Sequence, residues 1–306
     1  MASVRVVRGP SGPYKVLVQS YRWDGTVRQK QIYLGASIPS NLEPLVEELN
    51  RRIWSETWYP LFDRVRAAYQ KRSAKIPSEV MVEEQEDFLI RFTFSTNRIE
   101  GSTLTLEETR SVVEDSNVPK AKPLNDVLEA KRHADLLRKL ILKPEPLDLT
   151  RLLGWHRQLF EATKPGVAGR IRDFGVRIGE SAHRPPSPLQ VRPMLVELLR
   201  WTSRSRGKVH AVEIAGEFHQ RFESIHPFGD GNGRVGRLAM NLLLATEGYP
   251  MMNIQFGRRQ SYYNALERSD TARSARPFLK WFFLRYAREH AYLLTPTSSA
   301  SRNADG

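Results

Sequence analysis

One stretch of the chain concentrates groups that can do chemistry: Phe222-Glu223-Ser224-Ile225-His226-Pro227-Phe228-Gly229-Asp230-Gly231-Asn232-Gly233-Arg234-Val235-Gly236-Arg237. Glycines let backbone N–H groups approach a phosphate closely. A helix that starts after the loop adds its positive dipole end and its free N–H groups. Arg234 and Arg237 are neighbours on that helix, on the face away from Val235, Leu238 and Leu242. Arginines at a helix N-terminus oppose the dipole, so an anion is expected to compensate them. A carboxylate such as Asp230 beside bound phosphates points to Mg²⁺, which bridges the two. His226 can take a proton from an attacking hydroxyl near neutral pH. A solitary histidine here would read as a cap satisfied by a carbonyl; beside Asp230, the glycines and both arginines, it reads as a base.

The elements around this loop are helical. Ala211, Ile214, Ala215, Phe218, Phe222 and Ile225 fall at helical spacing before it, and Val235, Leu238, Ala239 and Leu242 after it. Gly231-x-Gly233-x-x-Gly236 is therefore no dinucleotide fingerprint, which needs a preceding strand. From about Leu42 onward the apolar period predicts helices over 42–72, 79–100, 105–116, 124–141, 149–163, 191–204, 208–224, 232–247, 258–268 and 275–293. Residues 1–36 read as β-structure, with Tyr14–Arg22 and Val27–Leu34 flanking an Asp24-Gly25 hairpin turn. The expected fold is mainly α with a small N-terminal β-hairpin. The expected division is 1–40 for the hairpin region, 41–147 for a helical region, 148–290 for the core around the loop, and 291–306 for a disordered tail.

Composition narrows the class. Of 306 residues, 40% are hydrophobic, 26% charged and 9% aromatic, the balance of a soluble globular protein. No cysteine occurs, which excludes a disulfide scaffold, a zinc ribbon and a cysteine nucleophile and fits a reducing compartment. No apolar run of about 18 residues suggests a membrane span, and the N-terminus has no apolar signal core; a cytoplasmic location is expected. Lys+Arg 47 against Asp+Glu 34 gives a formal charge of +13, which attracts nucleic acid, acidic protein surfaces or nucleotide phosphates. The basic residues are scattered, with no Arg-rich arm, so nucleic acid is not the expected partner.

The segment His226-Pro-Phe228-Gly-Asp230-Gly231-Asn232-Gly233-Arg234-Val-Gly-Arg237 resembles the full signature of the Fic (Fido) family, whose motif is a loop between two helices of an all-α core. The resemblance implies transfer of AMP from ATP to a protein hydroxyl. It implies His226 as general base, Asp230 as Mg²⁺ ligand, and Gly231, Asn232 and Gly233 as the phosphate cradle. Arg234 and Arg237 would bind the β- and γ-phosphates, and Phe228 would anchor the loop. Val176–Pro186 resembles the family's flap, a β-hairpin that pairs with the target backbone. Tyr262-Tyr263 resembles the aromatic pair beside the adenine. Death-on-curing kinases, a departed subgroup, carry Lys in place of a loop glycine. Gly231 and Gly233 are both present here, which favours AMP transfer; phosphocholine and UMP donors occur among other members.

A separated element completes the resemblance. Thr96…Glu100-Gly101 matches the family's inhibitory motif of Ser or Thr, three residues, then Glu and Gly or Asn. Thr96 and Glu100 share a helix face, and Gly101 reads as the left-handed cap. Glu100 at a helix C-terminus is electrostatically wrong-ended and calls for a cation. The resemblance implies that cation is Arg237, with Glu100 occupying the γ-phosphate seat. The expectation is an auto-inhibited protein adenylyltransferase with Mg²⁺, ATP and an unidentified target protein, capable of self-modification. A homodimer that donates the inhibitory helix between subunits is compatible with it. The alternatives are a de-AMPylase using the same site, or a basic DNA-associated regulator with a vestigial nucleotide site. Six Lys/Arg against one Asp in residues 1–40 make the N-terminal region a candidate docking surface.

Overall fold

Three antiparallel strands and eleven α-helices follow one another in the computed structural model, which describes residues 2–10, 12–179 and 181–295. The tail expected over 296–306 lies outside the described residues, and Ala291–Leu293 forms a single 3₁₀ turn. The chain divides into two compact units, Met1–Arg64 and Val65–Gly306.

In the first unit the sheet runs β1 (Ser3–Gly9), β2 (Gly12–Trp23), β3 (Thr26–Gly35). The expected hairpin is β2–β3, turned by Asp24 (φ 49°) and Gly25 (φ 74°), both left-handed as a tight hairpin turn requires. A third strand, β1, corrects the two-stranded expectation: it pairs along β2 from Ser3↔Val18 to Gly9↔Gly12. A third strand also suits the physics, since an isolated two-stranded hairpin is marginal in water. Helix α1 (Glu43–Trp54) closes one face, with Leu49 against Leu17 and Ile32.

The single helix expected over 42–72 is two, α1 and α2 (Trp58–Ser73). Pro60 is the reason: it lacks an N–H and is tolerated only in a first helical turn, so a new helix must begin just before it.

The second unit is built around α8 (Ala211–Ile225) and α9 (Asn232–Thr246), the two helices that flank the glycine loop. Around them lie α3 (Ser78–Ile99), α5 (Leu124–Leu142), α6 (Leu149–Phe160), α7 (Pro188–Ser205), α10 (Arg259–Ala272) and α11 (Arg276–Glu289). Helix α4 (Leu106–Glu114) is capped by Thr105 and Glu108 in a reciprocal capping box and packs on α3 and α5. Every residue of α9 from Asn232 to Leu244 is buried, so Arg234 and Arg237, expected on a face away from the apolar stripe, are 4% and 1% exposed. The helix is wrapped on all sides, and its polar face is met by charged partners.

The flap segment differs from expectation. A turn closes there, with Ser181 N–H donating to the Ile178 carbonyl at 2.8 Å, but the described residues of 176–186 form no strand ladder. Among the described residues it has a turn at Gly179 (φ 41°) and no partner strand.

Candidate active site

Helix α8 ends at Ile225, and His226 closes it in the left-handed region (φ 50°, ψ 63°). The His226 Nδ1 lies 3.3 Å from the Glu223 carbonyl. A carbonyl only accepts, so the ring proton sits on Nδ1 and Nε2 keeps its lone pair. Burial pushes the imidazole pKa down to about 4, so the ring is neutral at pH 7 and able to take a proton.

The loop that follows is clipped from inside. The Asn232 side chain accepts from Phe228 N–H at 2.8 Å and donates to the Phe228 carbonyl at 2.9 Å. The Phe228 ring is fully buried and stacks on His156, with centroids 3.9 Å apart and planes 9° from parallel. His156 Nδ1 accepts from Gly169 N–H at 2.9 Å, which leaves Nε2 to donate to the Asp230 carbonyl at 3.0 Å. At Gly231 (φ 74°) a Cβ would sit 2.2 Å from the Phe160 ring, so only glycine fits. At Gly233 a Cβ would sit 2.1 Å from the Glu100 Oε1. The Glu100 carboxylate thus lies directly over the loop backbone.

Two ion clusters sit on α9. Arg234 pairs with Glu129 of α5, stacks over Phe160 at 4.6 Å and approaches Asp230 at 3.4 Å. Lys164 Nζ bridges Glu129 (3.0 Å) and Asp230 (2.8 Å). Burial works against the Asp230 carboxylate, but Lys164 and Arg234 outweigh it and hold its pKa below the usual value. Arg237 faces the other cluster. Its Nη2 donates to Glu100 Oε1 at 2.7 Å and to the Thr96 carbonyl at 3.1 Å, and its Nε donates to Thr96 Oγ1 at 2.7 Å. Helix α3 is terminated beside it by a double C-cap: Gly101 N–H to the Arg98 carbonyl and Ser102 N–H to the Asn97 carbonyl, with Gly101 at φ 97°. That geometry turns Glu100 off the helix end toward Arg237. A cavity of about 280 Å³ opens next to these groups, with Glu100, Glu129, Lys164, Asp230 and Arg234 in its walls.

Tyr262 and Tyr263 stand side by side, ring centroids 5.4 Å apart, but in different settings. Tyr262 is 1% exposed and bonded through its hydroxyl to His219 Nε2 at 2.9 Å. Tyr263 is 41% exposed and donates to the Ile99 carbonyl at 3.0 Å, next to Glu100. Among the described residues no group of three or more His, Asp or Glu side chains could hold a metal on its own. No helix there is long and apolar enough to cross a membrane.

With this geometry in view, residues 146–244 match the Fic/DOC family. That stretch of the chain is similar to the Fic/DOC family. Curated relatives named protein adenylyltransferase Fic match outside those bounds as well. One from Nematostella vectensis is 33% identical over 195 residues, covering 61% of this chain and 44% of the relative. One from Drosophila persimilis is 29% identical over 252 residues, covering 79% and 48%. The chain therefore spans less than half the length of these two relatives. Among solved structures, Fic-1 from C. elegans superposes with a TM-score of 0.69 at 24% identity, covering 84% of this chain and 78% of that one. A Fic-domain signalling protein from Bacteroides thetaiotaomicron gives 0.68 at 23%, covering 79% and 100%. At these identities the likeness is one of fold.

Residues that carry no motif also stand around the loop. Glu129, His156, Lys164, Arg172 and Glu223 all contact the loop or its arginines, or border them. Lys164 precedes a Pro-Gly break and reads in the sequence as loop punctuation; Glu129 and His156 sit singly inside amphipathic helices. Glu223 is buried, its carboxyl pKa pushed up to about 8 by burial against the pull of Arg237. Only its place one turn before His226 could have drawn attention to it.

Proposed function

We propose that this chain is an auto-inhibited protein adenylyltransferase that moves AMP from ATP to a Ser, Thr or Tyr hydroxyl of a target protein or of itself. One observation carries the reading: a neutral imidazole with a free Nε2 stands at the head of a glycine loop and two buried arginines. In the proposed step His226 Nε2 takes the proton of the acceptor hydroxyl. The hydroxyl oxygen bonds to the α-phosphorus, the bond to the bridging oxygen breaks, and pyrophosphate leaves with that electron pair. Gly231, Asn232 and Gly233 cradle the phosphates through backbone N–H groups, and Arg234 and Arg237 take the β- and γ-phosphates. Tyr263 borders the nucleotide, and Tyr262 supports it from the core.

Mg²⁺ fits the donor set only together with a nucleotide. Asp230 offers one carboxylate, 42% exposed at the cavity rim, and Mg²⁺ is commonly held by one or two carboxylates plus substrate phosphates. Asp230 would hold the ion, which would neutralise phosphate charge there; Lys164 must then yield its contact.

Glu100 supplies the inhibition in this reading. Its carboxylate occupies the space above Gly233 and holds the guanidinium that the γ-phosphate needs. Thr96, Glu100 and Gly101 thus form one inhibitory unit at the end of α3. The location in the cell is proposed as cytoplasmic, on the absence of cysteine.

The base assignment is tested by His226→Ala, which should lower transfer by about 10²–10⁴-fold while ATP still binds. Since the neutral ring is the active form, transfer should stay level from about pH 8 down to pH 5 and fall as the pH drops through about 4. A rate that falls already near pH 6.5 would contradict the buried setting of His226.

A further inference from the structure

His226 holds a conformation its sequence disfavours. A residue before proline is normally driven to extended backbone, yet His226 precedes Pro227 with φ 50° and ψ 63°. Left-handed backbone of this kind persists only where its surroundings over-determine it. The chief constraint is Arg172, from the loop between α6 and α7. Its Nε donates to the His226 carbonyl at 2.7 Å, and its Nη2 lies 3.4 Å from the Ile225 carbonyl. Its own N–H donates to the Pro227 carbonyl at 3.0 Å. The same guanidinium reaches the Phe174 carbonyl at 2.9 Å through Nη1 and the Pro186 carbonyl at 2.7 Å through Nη2.

Four main-chain carbonyls share this side chain, which is 3% exposed and has no carboxylate partner among the described residues. A structural arginine usually meets an acid; here the fork is spent on backbone. Two of the carbonyls end α8, where the helix dipole favours a cation. The other two bracket the 176–186 segment: Phe174 stands two residues before it and Pro186 closes it.

We infer that Arg172 is a positioning residue: one guanidinium holds His226 in its left-handed pose and ties that pose to the residues that bracket the 176–186 segment. The inference rests on His226 acting as the base and on that segment presenting the acceptor. Under it, base and acceptor share one anchor, so the hydroxyl arrives in register with Nε2. Arg172 touches neither nucleotide nor acceptor. Its charge also acts on the ring: beyond burial, the Glu223 carbonyl and Glu100 favour the imidazolium, and Arg172 and His183 disfavour it.

The test uses the full chain in a Glu100→Gly background, with Arg172→Gln and Arg172→Lys added singly. Turnover is read as self-modification against ATP concentration. The His226 ring is followed by imidazole ¹⁵N NMR, assigned against His226→Ala. For Arg172→Gln we expect kcat to fall on the order of 100-fold with little change in the KM for ATP, since a small misplacement of reacting groups costs that much. The His226 titration should move upward relative to the Glu100→Gly parent, since Arg172 disfavours the imidazolium, while burial still keeps it low. Arg172→Lys keeps the charge but cannot fork between carbonyls; it should keep the titration low and recover only part of the turnover.

A folded Arg172→Gln protein with unchanged turnover and titration overturns the inference. So does a loss confined to melting temperature and ATP affinity with the His226 titration unmoved. If Arg172→Gln does not fold, Arg172→Lys decides, and full turnover there is the overturning result. If Glu100→Gly itself shows no transfer, the adenylyltransferase reading fails, while the NMR titration still decides whether Arg172 poses His226.

Discussion

Arg234 and Arg237 stand three residues apart at the start of α9, both almost wholly buried, and each meets a glutamate from another helix. The two glutamates differ. Glu129 lies inside α5 with a side chain 9% exposed, and it is shared among Arg234, Lys164 and Thr163. Glu100 lies just past the end of α3, its side chain is 25% exposed, and Arg237 is its charged partner. Glu129 is held from three sides and sits where moving it would strand buried charges. Glu100 sits on a helix end whose dipole repels it, close to solvent, with one contact to give up. Within one helical turn the fold thus offers one arginine with a fixed partner and one whose partner can be displaced.

Breaking the fixed pair should have the largest effect. Arg234→Ala leaves Glu129 buried with Lys164 as its charged partner and Thr163 as a hydroxyl donor. A half-broken buried pair typically costs about 3–5 kcal/mol, and we expect the lower end because Lys164 remains; urea denaturation measures it. Transfer should be lost in the same protein. Stability within about 0.5 kcal/mol of wild type would erase the distinction between the two clusters.

The displaceable pair should respond in the opposite sense. Glu100→Gly frees Arg237, and a charged hydrogen bond worth about 1.5–3 kcal/mol converts to a gain in AMP transfer of roughly ten- to a hundredfold. Stability should fall by less than in Arg234→Ala, because the Thr96 hydroxyl and carbonyl still accept from Arg237 and the residue removed opposes the helix dipole. Adding Arg237→Ala should abolish the gain, since the freed residue is then absent.

Thr96→Val should give the smallest effect. It removes one hydrogen bond to Arg237 Nε while leaving Glu100 in place. A loss of about 1 kcal/mol should raise transfer only severalfold, measurable as an initial rate of self-modification. A gain equal to that of Glu100→Gly would mean that Thr96, rather than the carboxylate, holds the guanidinium.

The legible parts of this protein are the local ones. Helix periods, the Asp24-Gly25 turn and the loop from His226 to Arg237 each state their geometry in a few consecutive residues. Thr96, Glu100 and Gly101 stood out through their resemblance to the inhibitory motif; the wrong-ended charge and the C-cap glycine only accompany it. The rest depends on approach between distant segments. Nothing near Arg172 in sequence announces that its guanidinium will meet carbonyls at 174, 186, 225 and 226. Glu129 is one acid among several on an amphipathic helix until α9 packs against it. Strand β1 lacks a readable turn into β2 as clear as Asp24-Gly25. The 176–186 segment has the turn but, among the described residues, not the ladder.

The central claim is that a single carboxylate withholds Arg237 from a working AMP-transfer site. Intact-protein mass spectrometry tests it most directly, on wild type, Glu100→Gly and Glu100→Gly with Arg237→Ala, each incubated with ATP and Mg²⁺. The account predicts a mass gain of whole AMP units that is faint in wild type, strong in Glu100→Gly and absent in the double variant. An unmodified, well-folded Glu100→Gly protein, or one modified no more than wild type, would contradict it.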